Sequence, residues 1–458
     1  MKIIASIILL LSALSLSAQS SGGTTTGGEP IYVRHADLLS GSDTTGILIR
    51  ELVGNVHIEQ GNVTLRCNRA TQYLAENRVV MIGNVKVIQG TVTLSGPSAN
   101  YDGNTRIATG NEGVKIVDRK TTLTARAGRY STISAIANFY GNVRAEDDSL
   151  AIDADTIEYH RSTENSFASG NVLMQAKYSK AFIVGDSAEN YPSKYYSRVT
   201  GHPILFQIDT VAPPKDSLNS SNDSLKLSTN QPNISKPDSL LTRKDTAAKK
   251  PDTMTISSVV MESYRGKNER YIATGQVEVV RGGLSARADT VLYGNSDEKI
   301  LLRGKPVVWY DSTQLSADSI NVYVPLKKLK KIEAFANAFS ASQDDSLHAD
   351  RVNQLSGAAI TIAVELDTLR EVFARGEAKS LYFLMKETAP DGAARHSADS
   401  IRITMENSKP EIIRWLGGVN GENIPERMME GKNKDYYLPA WRWEKTRPKK
   451  RVFVGRKK

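Results

Sequence analysis

A short phrase returns along the first half of this chain at a nearly fixed interval: Gly54-Asn55-Val56, Gly83-Asn84-Val85, Gly113-Val114, Gly141-Asn142-Val143 and Gly170-Asn171-Val172, spaced by 29, 30, 28 and 29 residues. A period of this length means one supersecondary unit stacked on copies of itself, each burying an apolar face that it cannot cover alone. After each glycine, apolar and polar residues alternate: Val56 and Ile58, Val85 and Val87, Val114 and Ile116, Val143 and Ala145, Val172 and Met174, with His57, Lys86, Lys115 and Arg144 between most pairs. Alternation with period two marks a strand with one buried face. A second strand follows, opening on Leu65-Arg66-Cys67, Leu94-Ser95-Gly96, Leu123-Thr124-Ala125 or Ile152-Asp153-Ala154, and reaches a tyrosine at Tyr73, Tyr101, Tyr130 or Tyr159. Helical spacing is nowhere sustained between residues 47 and 180, so the segments read as all-β.

The repeat continues past the fifth copy. Tyr191 precedes Gly201-His202-Pro203-Ile204, which predicts an alternating run of Ile204, Phe206 and Ile208. Residues 211–255 then change character, being dominated by Ser, Asn, Asp, Lys, Thr and Pro; too little apolar area is present to offset ordering, so a disordered linker is expected. The pattern resumes with Gly275-Gln276-Val277 and Val279, Leu284-Ser285-Ala286 leading to Tyr293, Gly304-Lys305-Pro306-Val307 with Trp309, and Leu315-Ser316-Ala317 leading to Tyr323. Degenerate copies follow at Leu329–Ser340, Leu369–Phe383 and Ser397–Ile401, as terminal repeats of a stack should be.

Lys2, the apolar run Ile3 to Leu16 and the small residues Ser17 and Ala18 have the form of a secretory signal peptide. The expected organisation is therefore a signal peptide (1–18), a flexible N-terminus (19–30), a first β-repeat domain (31–210), a linker (211–255), a second β-repeat domain (256–430) and a basic tail (431–458).

The net charge of +9 is local: Trp441 to Lys458 holds nine basic residues and one acid, Glu444. The remainder is close to neutral, and export argues against a nucleic-acid partner. The tail reads either as a contact for an anionic membrane surface, phosphorylated lipid or acidic partner, or as a solvated, disordered end. A single cysteine, Cys67, excludes intramolecular disulfides and cysteine metal clusters; its alternation with Leu65 predicts a buried strand residue. The six histidines show no ligand spacing, and no nucleophile-elbow, P-loop or dinucleotide fingerprint occurs, so neither metal nor cofactor is expected. Asp155, Asp289, Asp318, Asp350 and Asp399 recur at one equivalent repeat position, which suits turn or surface chemistry better than a catalytic pair of unequal carboxylates. The chain reads as a non-enzyme.

Secreted strand repeats built on Gly-Asn-Val, followed by Leu-x-Ala and a later tyrosine in two tandem blocks, resemble the OstA/LptA family, in particular the longer OstA-like proteins of Gram-negative Bacteroidetes. The resemblance covers residues 31–210 and 256–425. It implies a periplasmic component of lipopolysaccharide transport, folded as half-open β-jelly rolls whose apolar interior holds acyl chains. It further implies lipopolysaccharide or lipid A as ligand, other transport-bridge or outer-membrane assembly proteins as partners, and end-to-end self-association. By repeat position the groove candidates are Val56, Ile58, Val85, Val87, Val114, Ile116, Val143, Val172, Met174, Val277, Val279 and Trp309, for which plain core packing is the competing reading. Two tandem domains with a long tether depart from the single short domain of the usual bridge protein. The alternative architecture is an exported parallel β-helix acting as an adhesin or on polysaccharide.

Overall fold

The computed structural model describes residues 29–208, 253–453 and 455, apart from 45–46, 179, 295–297, 344–346, 388 and 407–408. The expected signal peptide, most of the N-terminal segment and most of the linker lie outside the described residues.

Among the described residues thirty strands form one sheet whose pairings are antiparallel, as in Ile47–Gln60 with Val63–Tyr73, Arg78–Gln89 with Val92–Asp102, and Ile136–Glu146 with Leu150–His160. A parallel β-helix needs parallel rungs, so the alternative architecture is overturned.

The Gly-Asn phrase bends these strands. Pairing register slips between Val53 and Val56, Ile82 and Val85, Ser169 and Val172, and Thr274 and Val277. At the first of these, Gly54 and Asn55 have φ of 80° and 46°, a left-handed pair that suits glycine and asparagine. Each long strand is thereby divided into two halves, and the halves line up along the stack as two arms meeting at an apex. The recurring acids belong to this apex. Asn55 donates to Asp37 at 3.0 Å, Asn171 to Asp155 at 2.7 Å and Asn337 to Asp318 at 2.9 Å. A Cβ at Gly170 would lie 2.4 Å from Asp155 Oδ2, so glycine is needed for close approach as well as for backbone sign. Asp289 and Asp399 stand in the same way over Gly304 and Gly417. Asp350 departs from the series and accepts from Asn433 of the tail at 2.9 Å.

The two blocks share this sheet. Ile204–Ile208 pairs with Thr253–Ser257, and Tyr196–Thr200 pairs with Val260–Tyr264. Residues 253–255, read from composition as the end of the linker, are strand because their partners across the junction supply the ladder. One apolar cluster runs between the arms from Leu52 in the first block to Ile401 in the second.

A second, smaller cluster lies on the outside of one arm, where the C-terminal segment is laid across it. Phe339, Ala341, Leu381 and Phe383 are buried there together with Met429 and Leu438, and Tyr437 and Trp443 pack on them. Buried Arg351 donates from Nη1 to both carboxylate oxygens of Glu426, at 3.1 and 3.0 Å. Gln354 Oε1 accepts from Leu438 N at 2.8 Å, while Gln314 donates to Arg442 O at 2.9 Å and accepts from Glu444 N at 2.8 Å. Farther along, Phe453 sits edge-on to Phe182 and Phe206, with ring centroids 5.0 and 5.7 Å apart. Much of the basic tail is therefore a strap on the second block that reaches back to the junction, and not the solvated end its charge suggested.

Candidate functional site

The interior between the arms is where the repeat places its apolar residues. Val56, Ile58, Val85, Val87, Val114, Ile116, Val143, Val172, Met174, Val277 and Val279 all line it, and none is more than 3% exposed. They pack on one another and on the facing arm, where Met81, Tyr101, Phe139 and Ile157 are equally buried. Alternation sends each valine inward because both halves of a bent strand keep their apolar parity on the concave side.

Trp309 does not belong to this set. It pairs with Ser285 and Gln314, on the face opposite Ala286, Val308 and Leu315, and Arg287 lies over its ring at 5.5 Å. Counting from Gly304 as from the other glycines puts Pro306, Val308 and Tyr310 inward and leaves Val307 and Trp309 outward. The same one-residue slip applies to the sixth copy, where Leu205 is in the interior and Phe206 is under Phe453. Both strands are apolar on both faces, because the strap covers the outer one. That doubled burial was visible as the uninterrupted runs Ile204-Leu205-Phe206 and Val307-Val308-Trp309.

At the apex the arms are joined by continuous chain. At the opposite, distal edges they are joined by side chains, in a repeating latch. Tyr101 Oη donates to Gln60 Oε1 at 2.7 Å, and Tyr130 Oη donates to Gln89 Oε1 at 2.8 Å. The glutamines return the contact, Gln60 Nε2 donating to Gly103 O and Gln89 Nε2 to Thr132 O, both at 2.9 Å. In the next copy Tyr159 Oη reaches Asp118 Oδ2 at 3.3 Å, and Arg161 lies 3.7 Å from the same carboxylate. Burial pushes the phenols of Tyr101, Tyr130 and Tyr159 up, and for Tyr159 the charge of Asp118 adds to it, so all three stay protonated donors. Outside this line Arg119 and Glu164 pair across the edge at 2.5 Å. In the second block Arg281 donates to Lys327 O, and Tyr310 donates to Asp367 O at 2.9 Å. The resemblance implies a half-open interior; here side chains draw the opening together, helped at the first copy by the backbone of Glu29 to Ile31, which receives Gln60 from one arm and Gln72 and Asn77 from the other.

The latch tyrosines form a row with their cross-strand neighbours: Tyr101, Ala108, Tyr130, Ala137, Tyr159. Tyr73 is outside the row, its place taken by Gln72. Beyond Tyr159 the row changes to Ser166, Asn190, Ser197 and Ser263 before tyrosine returns at Tyr271 and Tyr293. Tyr191, counted from the sequence as the repeat tyrosine, is displaced by one residue. No metal-binding group of three or more acids, histidines or cysteines occurs among the described residues. Cys67 is buried, and burial pushes its thiol up to about 11.

These features define a class: a bent antiparallel stack with a continuous apolar interior, shut along one edge by side chains. Residues 29–182 match the family model described as OstA-like protein. No curated protein matches the chain. Among solved structures the chain is similar to LptH, the LptA homologous periplasmic component of the lipopolysaccharide transport device from Pseudomonas aeruginosa, at 14% identity. That match covers 31% of this chain and 95% of LptH with a TM-score of 0.25, a level that does not bear on function.

Proposed function

We propose that this chain is a periplasmic carrier of acyl-bearing amphiphiles of the lipopolysaccharide class, holding their chains between the two arms during transport to the outer membrane. One observation carries the reading: a single apolar cluster extends through both blocks, yet its closure along the distal edge depends on side-chain hydrogen bonds and not on a backbone ladder. An interior of this kind can admit a lipid without unpairing any strand. Each latch hydrogen bond contributes on the order of 1 kcal/mol, whereas each chain CH₂ transferred from water gains about 0.8 kcal/mol, so a dodecyl chain far outweighs a few latches. The valines pack on one another and are at most 3% exposed, so a chain lying among them requires the arms to separate. The eleven inward groove residues then change partners, from one another to the lipid.

The family match of the first block supports lipopolysaccharide as cargo and other components of that transport route as partners. The proposed location is the periplasm, in keeping with the signal-peptide pattern. The test is to purify the mature chain with and without incubation in lipid A micelles and to quantify bound lipid by mass spectrometry. Stoichiometric retention, abolished by a charged residue at Ile116, supports the carrier; absence of retained lipid refutes it.

A further inference from the structure

At the junction of the two blocks the distal edge is built differently from the rest. Where the latch row would place another tyrosine it has Asn190, flanked across the strands by Ser166, Ser197 and Ser263, and these four are 0 to 7% exposed. Arg265 reaches back over them from the turn that follows Val260–Tyr264. It donates through Nη2 to Asn190 Oδ1 at 2.9 Å and through Nη1 to Ser197 Oγ. Both partners lie on its own arm, so unlike the tyrosines it ties nothing across the edge. Its Nε is buried without a hydrogen-bond partner, and among the described residues no carboxylate forms an ion pair with it. Asp147 and Glu269 act on it only at a distance, Asp147 being engaged by Ser149 and Leu150 amides and Glu269 by the Tyr271 hydroxyl. On the opposite arm Gln207, which shares the inward parity of Leu205, has a buried Oε1 that is likewise unpartnered.

A guanidinium sequestered on neutral partners is costly unless something anionic completes it, and its fork geometry matches phosphate. Resting on the carrier reading, we propose that Arg265, with Asn190 and Ser197, receives the phosphate of an amphiphile whose chains enter the interior at this unlatched point of the edge. The phosphate oxygens accept from Nε and from the polar row, and a protonated phosphate oxygen can donate to Gln207.

The experiment uses the full mature chain, decyl phosphate, decanol and inorganic phosphate as probes, and calorimetric titration. Wild type is expected to bind decyl phosphate about tenfold or more tighter than decanol. Arg265→Met should remove that preference and leave decanol binding unchanged, while Arg265→Lys keeps part of it; circular dichroism verifies that both variants fold. Inorganic phosphate binding as tightly as decyl phosphate, and lost in Arg265→Met, would keep the site but assign it to free phosphate. Decanol binding with no phosphate preference overturns this inference and leaves the carrier reading intact. Phosphate binding that depends on Arg265 with no decanol binding does the reverse. A phosphate preference that survives in Arg265→Met, or a wild type that binds none of the probes, also overturns it.

Discussion

The bend at Gly170 offers a quantitative test of how the repeat builds the two arms. Gly170 has φ of 77°, and an added Cβ would stand 2.4 Å from Asp155 Oδ2 and 2.9 Å from Asp155 Cβ. Gly170→Ala thus carries two costs: about 1.5 kcal/mol for an L-residue in the left-handed region, and about 1 kcal/mol for displacing Asp155 from its exposed 2.7 Å bond with Asn171. Gly113 supplies the control. Its φ is 61° and a Cβ there meets nothing within 4 Å, so Gly113→Ala should cost only the backbone share, about 1.5 kcal/mol. Asp155→Ala alone should cost about 1 kcal/mol, and Asp155→Ala with Gly170→Ala about 2.5 rather than the additive 3.5 kcal/mol, because the hydrogen bond can be lost only once. Urea denaturation of the four variants, followed by far-ultraviolet circular dichroism, measures the cycle. Strict additivity, or a Gly113→Ala cost equal to that of Gly170→Ala, would refute the claim that the acid and the glycine are fitted to each other.

Other outcomes follow from the same geometry. Tyr130→Phe leaves the buried Gln89 Oε1 without its 2.8 Å donor and should destabilise by about 1 to 2 kcal/mol in urea titration, while accelerating uptake of a fluorescent fatty acid in stopped flow. Deleting residues 440–458 uncovers Trp309 and Phe206, so the truncated chain should bind a hydrophobic dye more strongly and elute as larger species in gel filtration. Burial, followed by the charge of Asp350, raises the Tyr437 phenol from 10.0 to about 12. Its contribution to strap docking is therefore complete below pH 10 and lost as pH rises toward 12, which the fluorescence of Trp441 and Trp443 should report; a flat response over that window would contradict it. With its thiol raised to about 11, Cys67 should react with a thiol reagent at pH 8 only after urea unfolds the chain.

Much of this architecture was legible in the sequence because the repeat writes it many times. Period-two alternation located the inward valines, and the spacing of Gly-Asn located the bends, since one glycine and one asparagine per copy are what a left-handed pair in mid-strand requires. The acids of the Ala-Asp-Thr type were legible as recurring turn or surface residues, though their role in receiving Asn171 or Asn337 needed the apex geometry. Trp309 was misplaced because a strand covered on both faces loses its alternation, and nothing local tells which parity faces the larger core. What covers the second face is a strap more than eighty residues away in sequence, so its contacts with Gln314, Gln354 and Phe182 are tertiary facts. The latch was half visible: the tyrosines recur, but their glutamine partners lie 41 residues earlier and across an edge no pairing rule specifies. Asn190 and Arg265 were invisible as a site because they mark an absence in that series.

The central claim is that the shut interior opens to take acyl chains, and site-specific photo-crosslinking in growing cells tests it most directly. A benzophenone amino acid at Ile116, 0% exposed and facing the opposite arm, should yield a lipid adduct detectable by mass spectrometry, while the same probe at outward Ile82, 58% exposed, should not. Adducts at neither position, or at Ile82 alone, would mean that the interior is an ordinary protein core and that the chain carries no lipid within it.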